Sequence, residues 1–141
     1  MTVEISDFTR ADIDDAFELW RRSEGIGLFG DTADVVAGCL ERSRGLSFVA
    51  RDAGVLIAAV LCTHDGRRGY LHHLAVSPDA RGRSIASALL RRCFEQLAAR
   101  GIPKCNIFLF GSNAAGRAFW EHTGWTARPD LEILQKLVRS G

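Results

Sequence analysis

Residues 70–100, YLHHLAVSPDARGRSIASALLRRCFEQLAAR, change hydrophobic period partway, and no other feature of the chain constrains the fold as much. Up to Val76 the segment is short and apolar and is bounded by turn residues, which predicts a strand over 70–76. From Ile85 onward the apolar residues recur as Ile85, Leu89, Cys93 and Leu97, widened by Ala86, Leu90 and Phe94. Arg83, Ser87, Arg91, Glu95 and Arg100 lie toward the other side. That stripe predicts an amphipathic helix, which Gly101 stops and Pro103 follows. Residues 104–110, KCNIFLF, predict a buried strand. Strand, helix and strand at this spacing predict a parallel pair joined by a right-handed crossover. The turn into the helix, Arg81-Gly82-Arg83-Ser84-Ile85-Ala86, points to an anion site. N–H groups at a helix start are free to meet a phosphate, and the helix dipole places roughly half a positive charge there. Arg81 and Arg83 add two full charges. A phosphorylated cofactor is the expected occupant.

The rest of the chain supplies partners for this unit. Residues 3–8 alternate as a first strand, and Thr9 with Asp12 predicts a capped helix over 10–23 with Ile13, Ala16, Phe17 and Trp20 on its apolar side. The loop 24–30, EGIGLFG, breaks that helix and is apolar for a loop, with Ile26, Leu28 and Phe29. It reads equally as a segment folded onto the core or as the wall of a substrate pocket. Asp31 or Thr32 would cap a second helix running to about Arg44, with Val35, Val36, Cys39 and Leu40 as its apolar side. Residues 46–51 and 55–63 predict a hairpin, the second strand apolar on both faces. After 104–110, a short helix over 114–122 is followed by two last short strands at 125–127 and 131–138.

Length, composition and charge exclude whole classes of function. The 141 residues fit one domain over 1–141, with 47% hydrophobic and 25% charged residues. A net charge of +1 gives no field that would draw nucleic acid or an anionic membrane surface. No apolar run approaches the roughly 20 residues of a membrane span, and the acidic N-terminus lacks a signal-peptide core, so a cytoplasmic protein is expected. The four cysteines, Cys39, Cys62, Cys93 and Cys105, form no C-x-x-C pair, so they read as small core residues and no metal site is expected.

The anion turn is neither a G-x-x-x-x-G-K-[ST] loop nor a three-glycine dinucleotide fingerprint. With its flanks it resembles the GNAT superfamily of acyl-CoA-dependent N-acyltransferases. The resemblance rests on LAVSPDARGRSIASALL at 74–90 and NAAGRAFWEHTGW at 113–125, and the order of elements over nearly the whole chain is similar to that family. It implies an α/β (α+β) fold: one GNAT-like domain whose mixed central sheet has six to seven strands and is flanked by about four helices. The sheet would be splayed between the strands at 70–76 and 104–110. It implies acetyl-CoA, or another short acyl-CoA, as cofactor. The pantetheine arm would lie against the backbone of Leu74, Ala75 and Val76. The pyrophosphate would lie on the turn Arg81, Gly82, Arg83, Ser84, Ile85 and Ala86. Asn113, Gly116 and Phe119 would line the rest of the groove. The acceptor would be an amine-bearing small molecule or a protein N-terminus, and a homodimer is compatible.

The chain departs from the family pattern at three positions. Ser84 stands where the signature has a glycine, Trp120 where the family often has a tyrosine acid, and Phe108 where many members carry a carboxylate base. The chemistry then falls to the strand at 70–76. There Tyr70 and His72, two residues apart, share one face, and His73 lies on the other. An ammonium is no nucleophile, so the amine must lose a proton before it attacks acetyl-CoA directly in a ternary complex. His72 is the expected acceptor of that proton, with Tyr70 ordering a water or acting as acid. An N–H near Ala75 or Val76 would stabilise the oxyanion. The alternative is a non-catalytic acyl-CoA-binding or regulatory module, which the three departures favour and His72 with the intact arginine turn disfavours.

Overall fold

In the computed structural model, which describes residues 2–28, 30–82 and 84–138, the apolar periods of the sequence close into a five-stranded sheet. The strands are β1 (Val3–Asp7), β2 (Phe48–Asp52), β3 (Val55–His64), β4 (Gly69–Val76) and β5 (Cys105–Ile107), side by side in chain order. The first four pair antiparallel, and β4 pairs parallel with β5, as the strand–helix–strand spacing requires. The helices are α1 (Ile13–Arg21), α2 (Ala33–Arg42), α3 (Ile85–Ala99) and α4 (Ala114–His122). The chain falls into two compact units, Met1–Phe108 and Leu109–Gly141. The sheet and α1 to α3 belong to the first, α4 to the second.

Local chemistry explains the helix starts. The Thr9 N–H donates to the Asp12 carboxylate at 2.9 Å, and a single 3-10 turn, Arg10–Asp12, leads into α1. At α2 the cap is Thr32, whose hydroxyl accepts the Val35 N–H at 3.2 Å. Asp31 is thereby released for another use. The buried side of α2 is Val36, Ala37 and Leu40, whereas Val35, expected on that side, is 47% exposed.

The two faces of the sheet bury different sets. Val49, Ala59, Leu61 and Ala75 join one core with Phe8 and Phe17, Leu19 and Trp20 of α1, and Val36 and Leu40 of α2. Ile26 and Leu28 pack against this core, so the loop after α1 folds back onto it. The other face meets α3. Arg92 sits 5.0 Å over the Phe48 ring, and a Cβ on Gly69 would stand 2.8 Å from Leu97 and 3.3 Å from the Cys105 sulfur. Gly69 is what lets α3 lie this close to the β4–β5 pair.

Three expectations are corrected. The fifth strand is three residues long rather than spanning 104–110, and Phe108 and Phe110 are 57% and 59% exposed rather than buried. Residues 125–127 and 131–138 form no strands, so the sheet has five strands among the described residues instead of six to seven. The turn between those segments does form. Arg128 chelates Asp130 through Nε and Nη2 at 2.9 and 2.7 Å. Neither flank joins the sheet among the described residues, and Leu134 and Val138 stand 91% and 97% exposed. Apolar residues in sequence supply a candidate, but only a neighbouring strand supplies the hydrogen bonds that make a strand.

Trp20 anchors the α1 side. It is fully buried against Phe8, Phe17 and His73, and its indole N–H has no acceptor among the described residues. A buried donor left unpaired costs about 1–3 kcal/mol. Trp20→Ala should therefore lower the unfolding free energy by about 3–5 kcal/mol. Trp20→Phe, which also removes the orphan donor, should lower it by less than about 1.5 kcal/mol. Urea unfolding of both variants separates the two effects, and equal losses would contradict this account.

Candidate active site

The site is built on an irregularity in β4. Ala59 of β3 pairs with Ala75, and Leu61 pairs with His72, so Val60 stands against both His73 and Leu74. One extra residue on β4 makes a β-bulge. His73 takes it up with φ +54, in the left-handed region that costs a non-glycine residue about 1–2 kcal/mol. Such strain persists only where the surroundings hold it.

The bulge overturns the expected alternation. Tyr70 and His72 stand opposite Thr63 and Leu61, on the face covered by α1 and α2. Strict alternation would turn His73 toward α3. Instead its ring lies 5.0 Å from that of Trp20, and its Nε2 is 2.6 Å from Oδ2 of Asp31. The two histidine rings, expected on opposite faces, stand 6.4 Å apart on the same one. Asp31 was legible only as a candidate helix cap. A search for carboxylates within reach of the β4 histidines would have needed the bulge to find it.

His72 is enclosed by rings. Tyr70 lies nearly parallel to it at 6.5 Å and Phe108 is at 6.4 Å. Burial holds the His72 imidazole below its usual pKa, the neighbouring His73 pushes the same way, and the Asp31 carboxylate opposes them. The net effect is a ring that stays neutral, the form that accepts a proton. The Tyr70 hydroxyl donates to Asp65 at 3.2 Å in the β3–β4 turn. That carboxylate is held below its usual range chiefly by the N–H groups of Arg68 and Arg67. Tyr70 therefore presents its ring to His72 and its hydroxyl to the hairpin.

Beyond His72 the strand has one free side. Pairing with β5 covers Gly69, Tyr70 and Leu71 against Cys105, Asn106 and Ile107 and then ends, while β4 continues to Val76. Leu74, Ala75 and Val76 thus have no strand partner on the β5 side among the described residues, although Ala75 and Val76 keep theirs on β3.

The arginine turn follows directly. After a 3-10 turn at Pro78–Ala80, Arg81 and Gly82 are exposed, and the Arg81 Nε–H reaches back to the Val76 carbonyl at 3.4 Å. Gly82 has φ +81, and a Cβ there would meet nothing within 4 Å. Arg83, expected to contribute a charge, lies outside the described residues, as does Phe29 of the α1–α2 loop. Ser84 sits at the N-cap of α3 with φ +59 and ψ +23, and its side chain makes no capping bond. The first turn of α3, with Ile85 and Ala86, carries N–H groups that have no intrahelical acceptor, and no acidic residue competes there.

In the second unit Asn113 caps α4. Its Oδ1 accepts the Gly116 N–H at 2.9 Å, and a Cβ on Gly116 would stand 2.4 Å from the Asn113 amide. Phe119 is half-buried, and Trp120, the buried residue of α4, meets Phe119 and Trp125 edge-on at 5.0 and 5.1 Å. Trp120 is a packing residue of this unit.

The cysteines offer no activated nucleophile. The Cys105 thiol is pushed up by its contact with Cys62 and by burial. For Cys62 the contact with Cys105 pulls down, but Cys93 and burial outweigh it. Burial, with Asp31 nearby, also raises Cys39. These three are thiols rather than thiolates near neutral pH.

Comparison with known proteins bears on this arrangement. Residues 9–125 match the family described as Acetyltransferase (GNAT) family. An acetyltransferase of Sodalis glossinidius (strain morsitans) is 32% identical over 95% of this chain and 94% of its own length. The PaiA N-acetyltransferase from Thermoplasma acidophilum, solved in complex with coenzyme A, superposes with a TM-score of 0.78 at 18% identity, over 91% of this chain and 92% of that one. The ribosomal-protein-S18-alanine N-acetyltransferase from Escherichia coli superposes with a TM-score of 0.71 at 22% identity, over 87% of this chain and 77% of that one. At these identities the two structures speak for the fold.

The strain at Ser84 has a measurable consequence. Relief of a left-handed L-residue gains about 1–2 kcal/mol, and the added chain entropy of glycine takes back about 0.5–1 kcal/mol. Ser84→Gly should therefore raise the unfolding free energy by about 0.5 kcal/mol, while the β-branched Ser84→Val lowers it by about 1–3 kcal/mol. A Val variant as stable as the Gly variant in urea would rule out the left-handed conformation.

Proposed function

The chain belongs to the GNAT family of acetyltransferases, and on that footing we propose that it moves an acetyl group from acetyl-CoA to a primary amine by direct attack in a ternary complex. The observation that carries the reading is the position of His72. It is a half-buried imidazole on β4 that desolvation keeps neutral, at the point where that strand loses its partner β5 and just before the turn into α3. The match across 9–125 supports taking the whole chain as one acyltransferase domain.

The residues present fit a CoA pyrophosphate. The open space at Gly82, the unopposed first turn of α3 and the exposed Arg81 offer N–H donors and positive charge on one short stretch. Ser84 keeps the backbone N–H of the glycine it replaces, and its left-handed φ is the conformation a glycine would adopt. The backbone of Leu74, Ala75 and Val76, unpaired toward β5, would hold the pantetheine arm by strand-like hydrogen bonds. A thioester carbonyl is what acetyl-CoA supplies to the reaction.

The chain's own groups would then act in sequence. His72 takes a proton from the amine nitrogen as it attacks, and a β4 N–H near Ala75 or Val76 donates to the carbonyl oxygen as it gains charge. The CoA thiolate is a tolerable leaving group, with a thiol pKa of roughly 8.5. This route therefore functions with an indole at Trp120, which cannot donate a proton near neutral pH. Tyr70 would hold the His72 ring by stacking while its hydroxyl stays on Asp65. The acceptor would be an amine-bearing small molecule or a protein N-terminus.

With acetyl-CoA and a panel of primary amines, free thiol should appear only when both substrates are present. His72→Ala should lower kcat by about 10²–10⁴-fold while calorimetric CoA affinity stays within twofold. An unchanged rate would remove His72 from the mechanism. A second outcome follows from its lowered pKa. Protonated His72 is inactive, so kcat/KM should fall on the acid side only below pH about 6.5, the unperturbed imidazole value. The same shift makes the folded state lose stability as pH falls through that lowered value, because the unfolded chain binds the proton more readily.

A further inference from the structure

Asp31 and His73 lie outside the mechanism above, yet they are its immediate neighbours. Their contact spans the loop before α2 and the bulge of β4, at 2.6 Å. Their side chains are 31% and 15% exposed, so the pair is shielded but reachable from solvent. His73 also accepts a left-handed backbone to be there. We propose that Asp31 and His73 form a second proton-accepting unit, one that strips the incoming ammonium before His72 acts on the attacking amine. This rests on the acetyl-transfer reading of the same site.

The chemistry follows from what a carboxylate can do. An ionised carboxylate only accepts, so the His73 Nε2 facing Asp31 carries the hydrogen, and Nδ1 holds the lone pair. Asp31 thus fixes the tautomer and offers a counter-charge when the ring takes up a proton. The ring centroids of His72 and His73 stand 6.4 Å apart. An amine served by both would take a place between the rings, about 3 Å from one nitrogen of each. Among the described residues, the ionisable groups at His73 are Asp31, His72 on its own strand and, by way of Asp31, the Cys39 thiol of α2, whose pKa is raised by burial.

Two basic groups match the proton count of the reaction. R–NH3+ and CH3CO–S–CoA give R–NH–COCH3, CoA–SH and H+. Nitrogen loses two protons. His73 takes the first, which converts the ammonium to the nucleophilic amine. His72 takes the second as the C–N bond forms. The C–S bond then breaks with its electron pair on sulfur, sulfur collects one of the two protons, and the other leaves to solvent. His73 is the catalytic base of the first transfer and Asp31 its positioning residue.

The test uses Asp31→Asn, whose amide donates to Nε2 and so favours the opposite tautomer. It also uses His73→Asn, because asparagine tolerates the left-handed backbone of the bulge. Free thiol release is measured from acetyl-CoA with two peptides. One has a free α-amine of pKa about 8 and no lysine, and the other is N-terminally blocked with one lysine of pKa about 10.4. At pH 7 both variants should lose about 100-fold or more in kcat/KM on the lysine peptide and markedly less on the α-amine peptide. The loss should shrink as pH rises toward 10, where the amine is already free. A loss equal for both peptides and constant with pH would mean a structural role and overturn the proposal. If wild type turns over neither peptide nor any other primary amine, the acetyl-transfer reading fails. The pair is then judged by 15N NMR of the histidine rings. Neutral His73 should carry its hydrogen on Nε2 in wild type and shift toward Nδ1 in Asp31→Asn. A wild-type Nδ1–H tautomer overturns the proposal irrespective of activity, as does one that Asp31→Asn leaves unchanged.

Discussion

Val60 standing against two residues of β4 is the constraint from which the site follows. A strand that gains one residue over its neighbour must bend, and its side chains lose their two-residue alternation. Here that change puts two consecutive histidines on one face, over the core of α1 and α2. It also comes one residue after β4 has parted from β5. The same short stretch therefore holds titratable rings and a strand edge with no strand partner on the β5 side among the described residues.

The strain is answered by contacts from outside the strand. His73 is gripped by Trp20 on one side and by Asp31 on the other. Trp20 is fully buried, and its own indole N–H has no acceptor among the described residues. Asp31 is available because Thr32, its neighbour, caps α2. A second left-handed L-residue, Ser84, lies at the start of α3, where Gly82 also has positive φ. His73 precedes and Ser84 lies within the segment that the functional reading assigns to acetyl-CoA, while a third left-handed residue, Ala53, sits in the β2–β3 turn. At His73 and Ser84 the strain falls where binding or chemistry would retain it.

Much of this was legible beforehand, and the reasons are local. The capping pair Thr9 and Asp12, the apolar stripe of α3 with its stop at Gly101, and the hairpin of β2 and β3 each depend on residues within one or two turns of each other. The turn into α3 was legible for the same reason, since its N–H groups belong to consecutive residues. What failed was non-local. Residues 131–138 are rich in apolar side chains, yet a ladder requires a partner that local composition cannot name. Val35 was placed on the buried side of α2 from spacing alone, and packing rotated the helix so that Ala37 is buried instead.

By itself the sequence determined the fold family and the parallel crossover into α3, and it offered the arginine turn as a candidate anion site and His72 as a candidate base. Those features are written in periods, turn residues and two motifs, whose physics acts over a few residues. Only the tertiary structure decided that His73 shares a face with His72, that Asp31 rather than a solvent molecule meets its Nε2, and that Tyr70 gives its hydroxyl to Asp65. Each depends on how β3 registers against β4 and on where the loop before α2 comes to rest. An ideal pleat would have sent the two histidines to opposite faces, and a single extra residue against Val60 brought them together.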